Sequence, residues 1–401
     1  MIQRRPLLAA GASLFAWAHQ PRLLSAAGAR DPRVVTIVLR GALDGLSAVA
    51  PLGDPDYVAL REGIALARDG DRPALLLDGF FALHPALPNF ARLYAAGQAL
   101  VVHAVASPYR ERSHFDGQDV LESGQSGPGI TASGWMNRAL AALPPGPHVR
   151  AGLGVGAMTP LILRGPAPVL GWASPVAGPA EDDLAERVMA LYRHSDPVLA
   201  EALRNGVATD RMARRTKAPG AEGRRGGSDT ADGMHRAAIG AARLLAQPDG
   251  PRVAALAFDG WDTHANEGGA AGRLAQLLGG LDGALAAFQT TLGEAWRDTA
   301  IVVVTEFGRT ARVNGTTGTD HGTATVALLA GGAVHGGQVV ADWPGLQAGQ
   351  LFAGRDLRPT LDVRAVFKGV LADLLGLSPA VLAHSVFPDS AAVAPMPGLI
   401  V

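Results

Sequence analysis

Val34–Leu39 reads VVTIVL, a short and continuous run of β-branched and other apolar residues. A run of this length without polar alternation is typical of a strand that is buried on both faces of a sheet. Val253–Phe258 and Ile301–Val304 are similar runs, and the apolar residues of Leu274–Phe288 between them recur at helical spacing. A strand, a helix and a second strand in this order imply parallel pairing with a right-handed crossover. The sequence therefore predicts a three-layer α/β fold, in which a mainly parallel central sheet has helices on both faces.

The composition narrows the classes of partner and the chemistry that the chain can use. The 401 residues are 48% apolar and 18% charged, and 35 basic residues nearly balance 36 acidic ones. Because nucleic-acid binders carry a basic excess, we expect no nucleic-acid partner. The chain contains no cysteine, which excludes disulfides and thiol chemistry. Any metal must then be held by histidine, carboxylate or hydroxyl side chains.

The first 29 residues have the pattern of an export signal. Arg4 and Arg5 precede a mild apolar run at residues 6–18, and Ala27-Gly28-Ala29 offers a small-residue cleavage site. Paired arginines at this place predict a twin-arginine signal peptide, and hence the twin-arginine export machinery as a partner. The apolar run is shorter than the ~20 residues of a membrane span. We expect a periplasmic or secreted protein whose mature chain has no stable membrane insertion.

Residues 30–401 are predicted to form a single α/β domain with one irregular region. Residues 135–235 depart from the alternation of strands and helices because they mix turns rich in proline and glycine with short strands. We interpret them as an inserted cap, with a helix at 183–192 and a polar, flexible surface loop at 214–233.

Polar side chains suited to a divalent cation lie next to three strand-like runs in the second half of the chain. Open α/β sheets bind ligands at the carboxyl ends of their strands, so these side chains are expected to meet. Carboxylate and imidazole are both ligands of zinc. The candidate metal ligands are Asp262, His264, Glu306, Asp320 and His321.

Two of these residues have an equally good alternative role. Glu306 could form an ion pair with Arg309 instead of binding a metal. Asp320 could orient the imidazole of His321 from behind rather than act as a ligand itself.

Two further candidates lie in the first half of the chain. Asp44 follows the first strand within the turn Arg40–Gly45, where it is either a ligand or an ordinary turn residue. Ser113 reads as the N-cap of a helix, next to Arg112 and His114. A helix N-terminus favours anions, so the hydroxyl of Ser113 is also a candidate nucleophile for a phosphate or sulfate ester.

The ordered motifs at residues 40–45, 112–119, 260–264, 305–310, 319–322 and 337–345 resemble those of the DUF1501 family. That family consists of exported bacterial proteins without an established activity, and it is similar to the alkaline phosphatase and sulfatase superfamily. The resemblance implies an alkaline-phosphatase-like fold with a nucleophile, Ser113, beside metal ligands. The ligands that it implies are Asp44, Asp262, His264, Glu306 and His321.

Two positions depart from the superfamily pattern. Phe307 stands where a metal-binding histidine is usual, and the spacing from Asp262 to His264 is shorter than in phosphatases. His114 or Asp320 could supply the missing ligand.

We therefore expect an exported, metal-dependent hydrolase of small anionic phosphate or sulfate esters, with one or two divalent ions, preferably zinc. Ser113 would be the nucleophile, and Arg112 or Arg309 would neutralise the anionic oxygens of the substrate. One alternative is a non-catalytic envelope protein that retains a degenerate metal site. Another is a metal-free serine esterase that uses Ser113 with His114 or His321.

Overall fold

The computed structural model describes residues 30–144, 151–156, 158–173, 204 and 229–401. The predicted signal peptide, the helix at 183–192 and most of the loop at 214–233 lie outside the described residues. Of that loop, the residues from Ala231 onward begin a helix instead. The described residues from Pro32 onward form one compact unit.

Twelve strands occur in the described ranges, nine of them in a central sheet and three in a small separate sheet. They are β1 (Arg33–Leu39), β2 (Val49–Ala50), β3 (Leu75–Leu76), β4 (Ala82–Leu83), β5 (Ala99–Ala106), β6 (Gly152–Val155), β7 (Val169–Trp172), β8 (Val253–Phe258), β9 (Thr299–Thr305), β10 (Thr325–Ala330), β11 (Val339–Val340) and β12 (Leu361–Asp362).

Nine α-helices occur in the described ranges. They are α1 (Gly45–Ala48), α2 (Tyr57–Leu60), α3 (Pro88–Ala95), α4 (His114–Ser123), α5 (Trp135–Ala142), α6 (Ala231–Leu245), α7 (Arg273–Leu292), α8 (Val363–Leu375) and α9 (Pro379–Val381). Short 3₁₀ helices cover Leu161–Leu163 and Gly293–Asp298, and a π-helical turn covers Leu382–Val386. None of these helices combines the length and the hydropathy that a membrane span requires.

The central sheet has the strand order β11-β5-β10-β9-β1-β8-β6-β7, and β12 also pairs with β5. All neighbouring pairs are parallel except those of β10, which runs antiparallel to both β5 and β9. Strands β8 and β9 lie on either side of β1 and are both parallel to it, so the chain between them needs a crossover connection, which contains the long helix α7. The mainly parallel α/β sheet is confirmed.

Strand β1 shows why the sheet is covered on both faces. All seven of its residues are buried, and successive side chains point to opposite faces. Val35 and Ile37 belong to a core cluster that includes helices α6 and α7, whereas Val34 and Val38 belong to one that includes α5 and α8. The continuous apolar run is therefore explained by two cores, one on each face, and the three-layer architecture is confirmed.

The described part of residues 135–235 is arranged differently from the predicted cap. Strand β6 pairs in parallel with β8, and β7 pairs in parallel with β6, so this segment extends the central sheet. These strands have four residues each and contain glycine, so they lack the β-branched run that marks β1. The remainder of the predicted cap lies outside the described residues and stays a prediction.

The predicted functional segments share one edge of the sheet. Strands β1, β5, β8 and β9 end there, and β10, which is antiparallel, begins there. The segments that follow or precede these ends are residues 40–45, 107–114, 259–264, 306–309 and 320–323. The topology therefore brings side chains that are distant in sequence together at this edge of the sheet.

Candidate metal centre

Three histidines and one aspartate meet at this edge. His114 begins α4, Asp262 and His264 lie in the segment after β8, and His321 lies just before β10. His114, Asp262 and His321 each offer one ligand atom, and these atoms all lie within 4.8 Å of one another. The structure therefore contains a possible metal site that draws on three different segments of the chain.

Each histidine has an acceptor opposite its Nδ1 atom. His114 Nδ1 lies 2.8 Å from Glu306 Oε1, and His264 Nδ1 lies 3.3 Å from Asp320 Oδ1. His321 Nδ1 lies 3.0 Å from the carbonyl oxygen of Arg112. An acceptor at Nδ1 holds the proton on that nitrogen, which leaves the lone pair on Nε2 available as a ligand. All three rings are therefore oriented as metal-binding histidines usually are.

The Nε2 atoms converge on the carboxylate of Asp262. His264 Nε2 lies 3.1 Å and His321 Nε2 lies 3.3 Å from Asp262 Oδ1, and His114 Nε2 lies 3.5 Å from Oδ2. His264 Nε2 and His321 Nε2 are 2.9 Å apart. Two lone pairs repel at that distance unless a proton or a cation lies between them. The buried Nε2 of His114 has no hydrogen-bond partner among the described residues.

These distances fit a zinc-type ion. Neighbouring ligands of a tetrahedral zinc ion, each at ~2.0–2.2 Å from the metal, lie about 3.3–3.6 Å apart. The three Nε2 atoms lie 3.1 to 3.5 Å from the nearer carboxylate oxygen of Asp262, close to that range, and the ligand atoms of His114, Asp262 and His321 all lie within 4.8 Å of one another. Imidazole nitrogens favour zinc and other transition metals, whereas magnesium and calcium favour sites made of oxygen ligands. The residues present therefore fit a single transition-metal ion better than an alkaline-earth ion.

Glu306 is placed differently from the predicted ligand role. Its side chain is 0% exposed, and Oε1 accepts hydrogen bonds from Gly41 N at 2.9 Å, His114 Nδ1 at 2.8 Å and Gln118 Nε2 at 3.2 Å. Burial alone would raise its pKa, but the hydrogen bonds from His114, Gln118 and the backbone outweigh it and lower the pKa. Glu306 is therefore an ionised partner that orients His114, and it does not pair with Arg309.

Arg309 is buried, and its guanidinium group is hydrogen-bonded to other parts of the protein instead of being available to an anion. Its side chain is 0% exposed and donates to the carbonyl oxygens of Gly41, Ala42, Trp261 and Thr319. The remaining bond goes to Asp262 Oδ1 at 2.5 Å. These bonds tie the ends of β1 and β8 to the segment before β10, and they hold Asp262 in place. The predicted contact with substrate is not available, because the guanidinium donors are already used inside the protein.

Asp44 lies in a separate buried ion pair. Its carboxylate caps α1 through Ser47 N and accepts a hydrogen bond of 2.5 Å from Arg61 Nη2, which also lies 3.7 Å from Glu267 Oε1. Glu267 Oε2 accepts from the hydroxyls of Thr263 and Thr319. A guanidinium, not a metal, therefore neutralises Asp44. The predicted first-metal role of Asp44 is not what the geometry shows.

Ser113 occupies the predicted N-cap position of α4, directly before His114. Its side chain is partly exposed and makes no capping hydrogen bond with the described residues. Arg112 pairs with the buried carboxylate of Asp356, with Nη2 to Oδ2 at 2.7 Å. Phe307 stacks on the ring of His114 with centroids 5.1 Å apart, so its side chain packs against the candidate site.

The pKa values of three residues of the cluster are shifted, and the directions differ. The hydrogen bond to Glu306 raises the pKa of His114, whereas burial lowers the pKa of His321. Burial is the largest influence on Asp262 and opposes its ionisation, but the hydrogen bond from Arg309 and the charges of Arg309, His264 and His114 together outweigh it and lower the pKa. The carboxylate form is therefore favoured, and it would supply a negative charge to a cation bound there.

Comparison with known proteins assigns the family. A family described as "Protein of unknown function (DUF1501)" matches residues 93–386, which is more than half of the chain. The chain belongs to the DUF1501 family. A search of curated proteins found no match to it.

Several solved structures resemble this DUF1501 chain at low identity. Ps i-CgsB in complex with k-i-k-neocarrahexaose is 12% identical, with 77% of this chain and 68% of that chain covered and a TM-score of 0.39. The phosphonate monoester hydrolase of Agrobacterium radiobacter is 14% identical, with coverage of 86% and 74% and a TM-score of 0.35. A protein of the alkaline phosphatase superfamily from Vibrio parahaemolyticus is 13% identical, with coverage of 78% and 64% and a TM-score of 0.31.

These TM-scores are all below 0.5, and the likeness carries no argument about the reaction. The chemistry of this DUF1501 chain has to be argued from its own side chains. The residues of the candidate metal centre lie within the segment that the family model matches, residues 93–386. They are His114, Asp262, His264, Glu306 and His321.

Several residues of the site escaped sequence analysis. Arg61, Glu267, Arg355 and Asp356 lie in turns and loops without a nearby strand-like run. Glu267 follows His264 by three residues in a polar turn, and that proximity was the one signal that could have identified it. The pairing of Arg61 with Asp44 joins residues 17 positions apart and depends on the tertiary fold.

Proposed function

We propose that the protein is an exported, metal-dependent hydrolase of small anionic phosphate or sulfate esters. One divalent ion of the zinc type is held by His114, Asp262 and His321, with His264 as the fourth ligand. A cation bound there would act as a Lewis acid towards an ester oxygen and would lower the pKa of a nearby hydroxyl or water.

The orientation of the three imidazoles is the observation that carries this proposal. Each ring has its Nδ1 fixed by an acceptor and its Nε2 directed to the same carboxylate. A site that served only the stability of the fold would gain little from placing two Nε2 atoms 2.9 Å apart. Metal-ligand histidines typically have such outer partners, which raise their basicity.

Ser113 is the proposed nucleophile. It lies next to the ligand His114 at the N-terminus of the ten-residue helix α4, where the helix dipole favours an anionic group. Attack by Ser113 Oγ on the phosphorus or sulfur atom would form a serine ester and release the alcohol. Water would then hydrolyse the serine ester and regenerate the hydroxyl.

Activity on a panel of esters tests the reaction. Zinc-loaded protein is assayed with nitrophenyl phosphate, a phosphate diester, a sulfate ester and a carboxylic ester. We expect turnover of a phosphate or sulfate ester, a fall of at least about 100-fold in Ser113→Ala, and no change in the exposed control Ser385→Ala. Stoichiometric metal with no turnover of any ester would favour the non-catalytic alternative, and carboxylic-ester turnover without metal would favour the serine esterase.

Export by the twin-arginine route forms a second part of the proposal. It is supported by Arg4 and Arg5 before the mild apolar run at residues 6–18. Residues 1–29 fused to a reporter that is active only after export should deliver it, and replacement of both arginines by lysine should abolish delivery. Delivery that is unaffected by this double substitution would contradict the twin-arginine route.

A further inference from the structure

Two arginines share one buried carboxylate beside the metal centre. Asp356 is 0% exposed, and its two oxygens bind different guanidinium groups. Arg112 donates to Oδ2 from Nε at 3.0 Å and from Nη2 at 2.7 Å, and Arg355 donates to Oδ1 from Nε at 2.9 Å. The buried carboxylate therefore fixes the positions of both guanidinium groups.

Both arginines are also attached to the metal ligand His321. Its Nδ1 donates to the carbonyl oxygen of Arg112 at 3.0 Å, and Arg355 Nη2 donates to the carbonyl oxygen of His321 at 2.5 Å. His321 Nε2 faces Asp262 and His264 on the other side of the ring. Arg112 is thus tied to the His321 ring through its backbone carbonyl, and the Arg355 guanidinium is tied to the backbone of His321.

The pair retains unused donors. The two guanidinium groups share the one buried carboxylate of Asp356, and Arg355 also interacts electrostatically with the exposed Asp320. Arg112 is 27% exposed and Arg355 is 46% exposed, and the Nη1 atom of each makes no hydrogen bond with a described residue. Guanidinium groups bind oxyanions through such free N–H donors. In contrast, the donors of Arg309 are directed to carbonyl oxygens inside the protein.

We propose that Arg112 and Arg355 form an anion-binding subsite for a second oxyanionic group of the substrate, separate from the group that is hydrolysed. The inference rests on the proposed function, because the hydrolysed group is placed at His114, Asp262 and His321. The substrate class that fits is an ester with an additional carboxylate, phosphate or sulfate. Asp356 is the positioning residue of this subsite.

Calorimetric titration with two probes tests the subsite. Inorganic phosphate carries one anionic group, and 2-phosphoglycolate carries two. Every protein titrated, including the one that is wild type at both arginines, also carries Ser113→Ala, so that 2-phosphoglycolate is not hydrolysed during the measurement. In zinc-loaded protein we expect 2-phosphoglycolate to bind about tenfold more tightly than phosphate, as one charge-assisted contact allows. Arg355→Gln and Arg112→Gln should each remove most of that difference and change the phosphate affinity less than about twofold.

Arg358→Gln is the matched control. Arg358 is an exposed arginine of the same segment whose guanidinium donates to the carbonyl oxygens of Gln350 and Leu351. The proposal is overturned if Arg358→Gln weakens the binding of 2-phosphoglycolate as much as Arg355→Gln does. It is also overturned if the protein that is wild type at both arginines does not distinguish the two probes. Metal content and thermal midpoint, measured on each variant, confirm that the variants remain folded.

Metal-free protein separates this proposal from the proposed function. With no ion in the centre, the part of the phosphate binding that depends on the arginines reports the subsite alone, and Arg355→Gln should abolish that part. Arg355-dependent binding in a protein that hydrolyses no ester would support the subsite and contradict the hydrolase. Phosphate binding to metal-free protein that is indifferent to both arginines would overturn the subsite, whatever the enzymatic activity.

Discussion

At the scale of single residues, Glu306 acts on the candidate metal centre through its hydrogen bond with His114. The carboxylate accepts from His114 Nδ1 and is fully buried, so its charge acts on the imidazole with little screening by water. An anionic acceptor at Nδ1 makes Nε2 a stronger ligand and keeps the ring in one orientation. The residue would therefore contribute to metal affinity without being a ligand itself.

Glu306→Gln is expected to lower the affinity for zinc by about 10- to 100-fold, the usual effect of losing such an outer partner. The amide removes the negative charge, and its NH₂ group cannot accept the hydrogen bond from His114. Competition with a chelating dye measures the affinity. The exposed Glu294→Gln serves as the control, and equal affinities in all three proteins would contradict the role assigned to Glu306.

Glu267 is expected to make stability depend on pH. Burial, assisted by the nearby charge of Asp44, raises its pKa to about 8 from 4.5. Between these values the folded chain holds a proton that the unfolded chain has released, so the stability from this group is present below pH 4.5 and is lost as pH rises towards 8. The slope for one proton is at most about 1.4 kcal/mol per pH unit.

Denaturant unfolding at a series of pH values tests this expectation. Glu267→Gln keeps an acceptor for Thr263 and Thr319 but cannot titrate, so the decline of stability with pH should be shallower in the variant. Glu62→Gln, at an exposed glutamate of a neighbouring loop, should retain the wild-type slope. If the free energy of unfolding falls with pH at the same rate in wild type and in Glu267→Gln, Glu267 does not take up the proton assigned to it.

At the scale of elements, the site depends on how closely the segments at the sheet edge pack. Gly318 lies against the backbone of His264, where an added Cβ would be 2.4 Å from its carbonyl carbon. Gly322 has the same relation to Arg309, also at 2.4 Å. Real Cβ atoms do not approach so closely, so both positions require glycine for space. The small-residue loop before β10 is therefore a packing requirement of the metal centre.

Gly318→Ala should displace His264 and weaken zinc binding by about tenfold, because small displacements of a fixed ligand are costly. Gly315→Ala is the matched control in the same loop, since an added Cβ there meets no atom within 4 Å. Both variants are compared by metal affinity and by thermal midpoint. A Gly318→Ala protein that binds zinc as tightly as Gly315→Ala would contradict the packing argument.

At the scale of the whole molecule, a bound ion should stabilise the fold, because its ligands come from three distant segments. A ligand that binds only the folded state at 100 times its dissociation constant adds about 2.7 kcal/mol. We expect the thermal midpoint to fall on treatment with a chelator and to recover when zinc is added. His114→Ala should respond much less, and a midpoint that is indifferent to chelator would contradict a structural link between ion and fold.

The sequence predicted the fold where local patterns are strong. The continuous apolar runs of β1, β8 and β9 were confirmed as buried parallel strands, because a strand covered on both faces has no polar alternation. Strands β6 and β7 lie where short strands of an inserted cap were predicted, but four-residue strands with glycine gave no sign that they extend the central sheet. Their place in the sheet is set by pairing with β8, which no local pattern encodes.

For the site, the sequence identified the right residues better than their roles. Asp262, His264 and His321 converge as predicted. His114, one of the two residues predicted as a replacement ligand, lies beside Asp262 and His321 and stacks on Phe307. The assignments of Glu306, Arg309 and Asp44 differ, since each depends on the nearest partner in space. Glu306 pairs with His114, Arg309 with carbonyl oxygens and Asp44 with Arg61.

The most direct test of the account is an anomalous difference map at the zinc absorption edge, from crystals of the protein purified with its metal. The account predicts one peak per chain at ~2.0–2.2 Å from the Nε2 atoms of His114 and His321 and from Asp262. A map without a peak there, or with its peak beside Asp44 or Glu306, would contradict it.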